Sequence, residues 1–279
     1  MKTNKKKLLI QDKDFYIISI NSAAFFIISY IFVYLLSQLS TMAVASFYDF
    51  NTKLLYYRIF YFVDTTDWGF ESVKMIFSIG PIINLIVGVI FLLIYLNVKE
   101  SLGKLKMFFM WGYLNAFNLL LSAIILGSFN NTGFGNVLNW SYVMDTGRML
   151  HVFVGGAVLV ACGFFSTRSV LVSANTYFKN LNYRTKRLYA FSHVLAGAIL
   201  GIIIISIAKI PHNSYNNYFE LIGLVFIILI ILPIIFRYNS FIDINFEYDD
   251  NLPAKKIIID WKYVIIAIVI LLLFRFCLS

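Results

Sequence analysis

Three residues able to exchange protons or hold a ligand lie together at the start of an apolar run. Asp145, Arg148 and His151 are spaced at i, i+3 and i+6. Residues three apart share one side of a helix, so a helix that begins at Asp145 would place the carboxylate near the guanidinium. One interpretation is a site for a ligand or a proton. The other is a helix N-terminus, where the helix dipole favours Asp145 and Arg148 is tied to it.

Three amide side chains interrupt two long apolar runs. Asn84 lies in the run 75–96, and Asn115 and Asn118 lie in the run 107–127. An unpaired amide in hydrocarbon costs on the order of a few kcal/mol, so these side chains should face protein and not lipid. They either line a binding cleft or form interhelical hydrogen bonds that hold helices together.

Residues that bind metals are few and scattered. Cys162 and Cys277 lie in separate apolar runs and form no ligand pair, so we expect them to pack as small hydrophobic side chains. His193 and Glu220 lie near opposite ends of their runs, too far apart to share an ion. We expect His193 to be hydrogen-bonded to a neighbouring helix, and we expect no catalytic residues, no metal ion and no cofactor.

Composition indicates that the chain lies in a membrane. Of its 279 residues 60% are apolar and 13% are charged, which is too apolar for a soluble domain. The long runs are hydrophobic on all sides, whereas a soluble helix has a polar face. The net charge of +9 fits basic residues retained in cytoplasmic loops. The expected partner is therefore the lipid bilayer and not nucleic acid.

The apolar runs predict an all-α polytopic membrane protein with about seven transmembrane helices. About 20 helical residues cross a hydrocarbon core of about 30 Å. The predicted spans are 15–39, 73–97, 107–128, 148–170, 187–208, 218–237 and 261–278. The sequence then divides into a basic cytoplasmic N-terminus (1–14), a membrane domain (15–237), an acidic cytoplasmic connector (238–260) and a last transmembrane helix (261–279).

The distribution of basic residues predicts the orientation. With the N-terminus in the cytoplasm, 17 of the 23 lysines and arginines fall on the cytoplasmic side, as the positive-inside rule requires. The six left outside are Lys53, Arg58, Lys74, Arg148, Lys209 and Arg275. We therefore expect a multi-pass protein of the bacterial inner membrane, with its N-terminus in the cytoplasm and its C-terminus outside.

The segment between the first two predicted helices has the pattern of a strand. Residues 54–63 read Leu-Leu-Tyr-Tyr-Arg-Ile-Phe-Tyr-Phe-Val, and Asp, Asn and Gly residues bound them. Aromatic and β-branched residues favour strands, but an unpaired strand edge is not tolerated against lipid. We expect a short β-like segment that is re-entrant or docked, paired as a hairpin or held in a cavity among the helices.

An ordered set of short motifs runs through residues 20–150. The first helix and the aromatic segment are followed by Gly80-Pro81-Ile-Ile-Asn84-Leu and then by Phe-Asn118-Leu-Leu. This order resembles the core of the site-2 protease family of intramembrane zinc metalloproteases. In that family a His-Glu-x-x-His helix precedes a re-entrant β-hairpin. A Gly-Pro-x-x-Asn helix comes next, and later an Asn-Leu-Leu-Pro run leads to an Asp that completes the zinc site.

The zinc-binding residues of that family are missing from this sequence. The first histidine is His151, the first glutamate is Glu71, and no His-Glu-x-x-His spacing occurs. A catalytic zinc needs three protein ligands, and peptide hydrolysis needs a general base. The resemblance therefore implies a catalytically inactive relative, in which Asn84, Asn115 and Asn118 line the cleft between core helices.

Three functions are compatible with these observations. A catalytically inactive relative would bind or escort another membrane segment in its cleft. A small-solute transporter or channel would have charged residues at mid-membrane or symmetric helix breaks, and only Gly80-Pro81 looks like a break. An enzyme acting on a lipid-linked substrate would use Asp145, Arg148 and His151, whose spacing matches no nucleophile–base pair.

Small residues predict where helices approach one another. Gly197 and Gly201 form a G-x-x-x-G motif, and Gly155 begins a Gly-Gly-Ala run in the preceding span. Such residues let helix backbones come close. We expect the fourth and fifth spans to pack together through them, and we expect Gly80 and Pro81 to lie at another helix contact.

Reporter fusions test the predicted orientation. Alkaline phosphatase fused after Ser279 should be active, because it folds only outside the cytoplasm. The same enzyme fused after Ser240, in the predicted cytoplasmic connector, should be inactive while being expressed at a similar level. Activity of the Ser240 fusion would contradict the predicted topology.

Overall fold

A computed structural model describes most of the protein as a helical bundle with two small sheets. The residues it describes are 2–99, 102–130, 132–210, 218–246 and 257–278. Within these ranges, side chains are described except at 2–12, 218–220 and 245.

The first helix, α1 (Lys2–Ser46), lies at the centre of the bundle, and at least four later helices pack on it. Neither glycine nor proline interrupts its 45 residues. Its apolar residues face all directions, which is typical of a helix enclosed by others. The turn after it contains Asp49 with a φ of 58°, a left-handed conformation that Asp tolerates better than most residues.

The other elements alternate along the sequence between long helices and short connections. The helices are α2 (Phe70–Asn97), α3 (Gly103–Asn130), α4 (Phe134–Trp140), α5 (Asp145–Val172), α6 (Tyr183–Tyr189), α7 (Gly197–Lys209), α8 (Tyr218–Val225), α9 (Ile227–Arg237) and α10 (Trp261–Cys277). The strands are β1 (Asn51–Leu55), β2 (Arg58–Phe62), β3 (Asn180–Leu181) and β4 (Ile244–Asn245). A π-helical segment, Ala190–Ala196, joins α6 to α7.

Six helical segments within the described residues are long and apolar enough to cross a membrane. They are Lys13–Ser46, Phe70–Asn97, Gly103–Asn130, Asp145–Thr176, Tyr183–Lys209 and Leu221–Ser240. They correspond to the first six predicted spans, and they make a multi-pass helical membrane protein the class that fits the fold. The seventh predicted span is helix α10, which has 17 residues and is shorter than these six.

The aromatic segment forms an antiparallel hairpin, β1–β2, with Tyr56 and Tyr57 at its turn. The turn is docked among helix ends. The Tyr56 N–H donates to the Leu278 carbonyl at 2.9 Å, and the Arg275 guanidinium lies 3.9 Å from the centre of the Tyr56 ring. The prediction of a docked β-like segment is therefore confirmed. We call this end of the bundle the hairpin end. We call the opposite end, which contains Lys104 and Lys186, the basic end.

At the basic end, the described part of the connector is held against the helices. Strands β3 and β4 pair there. Lys186, buried on α6, lies 2.7 Å from the Asp243 carboxylate and donates to the Phe241 carbonyl at 2.8 Å. Lys104 bonds Asp260 at 2.6 Å. The remaining acidic residues of the predicted connector, and its proline, lie outside the described ranges: Glu247, Asp249, Asp250 and Pro253.

The G-x-x-x-G motif packs against α1. A methyl group added at Gly197 would lie 2.5 Å from Ser22 Cβ, and one added at Gly201 would lie 2.9 Å from Phe26 Cγ. The prediction that the fourth and fifth spans pack through this motif is wrong, because α1 covers that face of α7. Gly155 of the fourth span approaches α3 instead.

The close contact between α1 and α7 predicts a stability difference between two glycine variants. Gly197→Ala should lower the free energy of unfolding by about 1–3 kcal/mol, because the added methyl overpacks the contact with Ser22. Denaturant unfolding of the purified protein in detergent measures it. Gly156→Ala is the control, since nothing lies within 4 Å of its added methyl. Equal destabilisation of both variants would contradict the packing.

Candidate functional site

A cavity of about 410 Å³ lies at the hairpin end, between the hairpin and five helices. We call it the hairpin cavity. Its α1 and hairpin residues are Tyr30, Tyr34, Ser37, Gln38, Thr41, Tyr57, Arg58, Ile59 and Tyr61. The others are Ile76, Phe77, Gly80, Pro81, Asn84, Leu119, Ser122, Ala123, Leu126, Gly127, Thr132, Gly133, Phe134 and Gly223. This volume falls in the range of about 300–1,000 Å³ that is typical of ligand sites.

The hairpin cavity follows the free edge of β2. Successive strand residues point to opposite faces of a sheet. Arg58 and Ile59 therefore belong to opposite faces, yet both line the cavity together with Tyr61. Among the described lining residues none comes from β1, which lies on the side of β2 that faces α1. The cavity therefore runs beside the edge of β2 that β1 leaves unpaired.

Two residues of β2 present backbone hydrogen-bonding groups at that edge. In a two-residue hairpin the pair flanking the turn, here Leu55 and Arg58, exchanges both backbone hydrogen bonds, and bonded and non-bonded pairs alternate from there. Phe60 therefore bonds within the hairpin, whereas the N–H and C=O groups of Ile59 and Tyr61 point away from β1. A third strand would bond to these groups.

The α2 wall of the cavity contains Gly80 and Pro81, where the sequence suggests a helix break, but α2 continues through both residues. A methyl group at Gly80 would lie 3.0 Å from Ser37 Oγ, so α2 approaches α1 closely there. Pro81 has no N–H and leaves the Phe77 carbonyl without its helical partner. Asn84 is 4% exposed, and its Oδ1 has no hydrogen-bond partner among the described residues. This wall therefore contains an amide side chain and a position where the helical hydrogen bonding of α2 is incomplete.

Positive charge lies in and beside the cavity. Arg58 Nε is buried and has no hydrogen-bond partner within the described part of the protein. Lys209 is buried, with Nζ 3.2 Å from Tyr30 Oη and 3.4 Å from the centre of the Tyr34 ring, and both rings line the cavity. None of the described lining side chains is acidic. The cavity is therefore suited to a negatively charged or hydrogen-bonding ligand.

The sequence alone does not single out Arg58, Tyr57 or Tyr61 as site residues. Arg58 was only one of six basic residues outside the cytoplasmic loops, and the tyrosines were only strand formers. The available signal was a single arginine within ten aromatic and aliphatic residues. Burial raises the pKa of the Tyr61 phenol, so this hydroxyl stays neutral and able to donate a hydrogen bond.

Asn115 and Asn118 do not line the hairpin cavity. Asn115 Nδ2 donates to Ser29 Oγ at 3.0 Å, which joins α3 to α1. Asn118 Nδ2 donates to the Gly223 carbonyl at 3.0 Å, which joins α3 to α8. The three predicted amides are therefore separated, with Asn84 in the cavity wall and the other two at helix contacts.

Asp145, Arg148 and His151 lie near the start of α5, with Asp145 in its first turn. Arg148 Nε donates to the Val143 carbonyl at 3.1 Å, and Arg148 Nη2 donates to the Asn139 side chain. His151 Nδ1 lies 2.7 Å from a backbone carbonyl one turn earlier. These contacts are local, to the helix itself and to the turn before it, and they favour the interpretation as a helix N-terminus.

His193 lies fully buried in the π-helical segment. Its ring stacks on Tyr189 with centroids 4.6 Å apart, and the Trp111 ring lies 5.8 Å away. Neither ring nitrogen has a hydrogen-bond partner among the described residues. The predicted hydrogen bond to a neighbouring helix is therefore wrong, because aromatic stacking holds this side chain.

The polar groups of the hairpin cavity are suited to binding. They are hydroxyls, amides and one guanidinium, which position a ligand through hydrogen bonds. Over the described ranges, no three His, Cys, Asp or Glu side chains are close enough to hold a metal ion.

The fold and the cavity together define a multi-pass helical membrane protein with a ligand-sized cavity beneath a docked hairpin. Comparison with protein-family models, with curated proteins and with solved structures finds no match in any of the three. The function therefore has to be inferred from the cavity itself.

The two kinds of amide should respond differently to substitution. Asn115→Leu should lower the free energy of unfolding by about 0.6–2 kcal/mol, because it removes hydrogen bonds to α1. Asn84→Leu should leave this free energy unchanged or raise it, since its Oδ1 has no partner to lose. Denaturant unfolding in detergent measures both. A loss at Asn84 as large as that at Asn115 would make Asn84 a packing residue too.

Proposed function

We propose that this protein is a non-enzymatic membrane protein that binds an extended segment of another membrane protein in the hairpin cavity. The free edge of β2 is the observation that carries the proposal. A segment in the cavity would pair with the outward backbone groups of Ile59 and Tyr61, as in recognition by strand addition. Lipid cannot bond these groups, so a partner strand stabilises an edge at membrane depth.

The other walls of the cavity also favour an extended polypeptide. An extended segment keeps its backbone N–H groups available on both edges, whereas a helix bonds them internally. One edge would face β2, and the other would offer hydrogen-bonding groups to polar side chains of the opposite wall, such as Asn84. Rings such as Tyr30 and Phe134 would contact the alternating side chains.

We further propose a distant, catalytically inactive relationship to the site-2 protease family. Its support is spatial: the hairpin that follows α1 and the wall formed by Gly80, Pro81 and Asn84 share one cavity.

The proposed topology has seven spans, with the N-terminus in the cytoplasm and the C-terminus outside the bacterial inner membrane. The asymmetry of basic residues supports the orientation. Contacts of α10 support the seventh span. At its start, Asp260 bonds Lys104 at the basic end, and just after it the Leu278 carbonyl bonds Tyr56 at the hairpin end. The hairpin cavity would then lie in the outer half of the membrane.

Arg58 favours a second candidate function, transport of a small anion. A charged side chain in a cavity at membrane depth is typical of solute pathways, and the volume suits a small molecule. Saturable uptake of an organic anion such as succinate into proteoliposomes, lost in Arg58→Gln, would favour transport over segment binding.

A pair of variants at Tyr61 tests segment binding. A photoreactive benzoylphenylalanine in place of Phe134, in the cavity wall, should crosslink to a membrane protein in intact cells. Tyr61→Pro should lower the crosslink yield at least fivefold relative to Tyr61→Ala. Both variants lose the ring, but only proline loses the outward N–H, and proline is tolerated where that group faces away from its sheet.

A crosslinker at Met144 is the control, because this side chain is 82% exposed and lies outside the cavity lining. Its crosslinks should not depend on residue 61. Equal yields from Tyr61→Pro and Tyr61→Ala, or the absence of any polypeptide crosslinked at Phe134, would contradict segment binding.

A further inference from the structure

The first residue of β2 has an unusual environment for an arginine. Arg58 Nε is buried and has no hydrogen-bond partner among the described residues, although a buried donor on a charged group is costly to leave unpaired. The two salt bridges between described residues involve other cations, Lys104 and Lys186. The Arg58 side chain as a whole is only partly buried, and it is the one cation among the described residues that line the hairpin cavity, so an occupant can contact it.

Neighbouring rings restrict how Arg58 can bind. Its guanidinium lies 5.3 Å from the centre of the Phe60 ring and 5.6 Å from that of the Tyr57 ring. Both rings therefore lie within cation–π range of the group. A guanidinium edge matches the two oxygens of a carboxylate.

We infer that the segment bound along β2 carries a carboxylate, from Asp, Glu or the C-terminus of a polypeptide, which binds Arg58. The inference rests on the proposed segment binding and names the chemistry that selects the segment. Polypeptide segments carry negative charge as carboxylates, and the described cavity lining supplies no acidic group of its own. A carboxylate at this position would pair a cation that forms neither of the two salt bridges between described residues.

The register along β2 places the carboxylate relative to the rest of the segment. Arg58 and Tyr61 are three residues apart, or about 10 Å at about 3.3 Å per strand residue. In a paired strand the acidic residue should therefore lie about three positions from the residue beside Tyr61. Because Tyr61 packs with Trp68 and Phe77, that second residue should be apolar.

Charge variants at Arg58 test the inference, with the photoreactive group at position 134 as the readout. Arg58→Gln should lower the yield of crosslinked polypeptide at least tenfold, while Arg58→Lys, which keeps the charge, should retain at least a third. Mass spectrometry should find an Asp, a Glu or a C-terminus within about four residues of the crosslinked position. Mutating that Asp or Glu to its amide, or extending that C-terminus, should reproduce the loss with unaltered Arg58.

The outcomes separate the inference from the proposed function. A polypeptide crosslink that does not depend on Arg58, or a segment without a carboxylate, would overturn the inference and leave segment binding in place. The absence of any crosslinked polypeptide, or a crosslinked phospholipid in its place, would overturn both. Thermal unfolding of each Arg58 variant shows whether that variant still folds. If Arg58→Gln does not fold, changing the partner's Asp or Glu to its amide, or extending its C-terminus, still tests the inference.

Discussion

Lipid cannot form hydrogen bonds, so polar groups at membrane depth in this protein need partners from the protein itself. The contacts of α1 show the consequence. The Trp111 indole donates to Ser22 Oγ at 3.0 Å, and Ser22 Oγ donates to the His193 carbonyl at 2.6 Å. Asn115 bonds Ser29. Polar groups that would be costly against lipid therefore determine which helices lie beside α1.

Close packing of small residues acts together with these hydrogen bonds. Gly197 and Gly201 bring α7 against α1, near the level where Ser22 bonds the π-helical segment. Asn21 adds bonds to the residues just before α10, with the Asp260 N–H at 2.8 Å and the Ile258 carbonyl at 2.9 Å. One uninterrupted helix therefore positions α3, α7 and α10. The end of α10 in turn contacts the hairpin turn through Arg275 and Leu278.

In the hairpin cavity this pairing is incomplete. Asn84, Arg58 and the strand residues Ile59 and Tyr61 all line it, and Asn84 Oδ1 and Arg58 Nε have no hydrogen-bond partner among the described residues. Asn115 Oδ1, Asn118 Oδ1 and both His193 ring nitrogens also lack a partner among the described residues, but these residues lie at helix contacts. Asn84 and Arg58 instead share a ligand-sized cavity with an unpaired strand edge, and this arrangement points to an occupant. The proposed function and the proposed carboxylate both follow from this contrast.

The sequence by itself determined the class of the protein, six of its long helices and the presence of a strand-like segment, because hydrophobic length and residue type act locally. It also indicated a helix break at Gly80 and Pro81, but α2 continues through both residues. Tertiary structure decided which polar residues share a site. Asn84 lines the hairpin cavity together with Arg58 and Tyr61, whereas Asn115 and Asn118 lie at helix contacts. It also placed the G-x-x-x-G motif against α1. The rotation of each helix about its axis determines which of its side chains face which neighbouring helix. That rotation depends on the packing of all neighbouring helices together, so it is not encoded locally in a run of apolar residues.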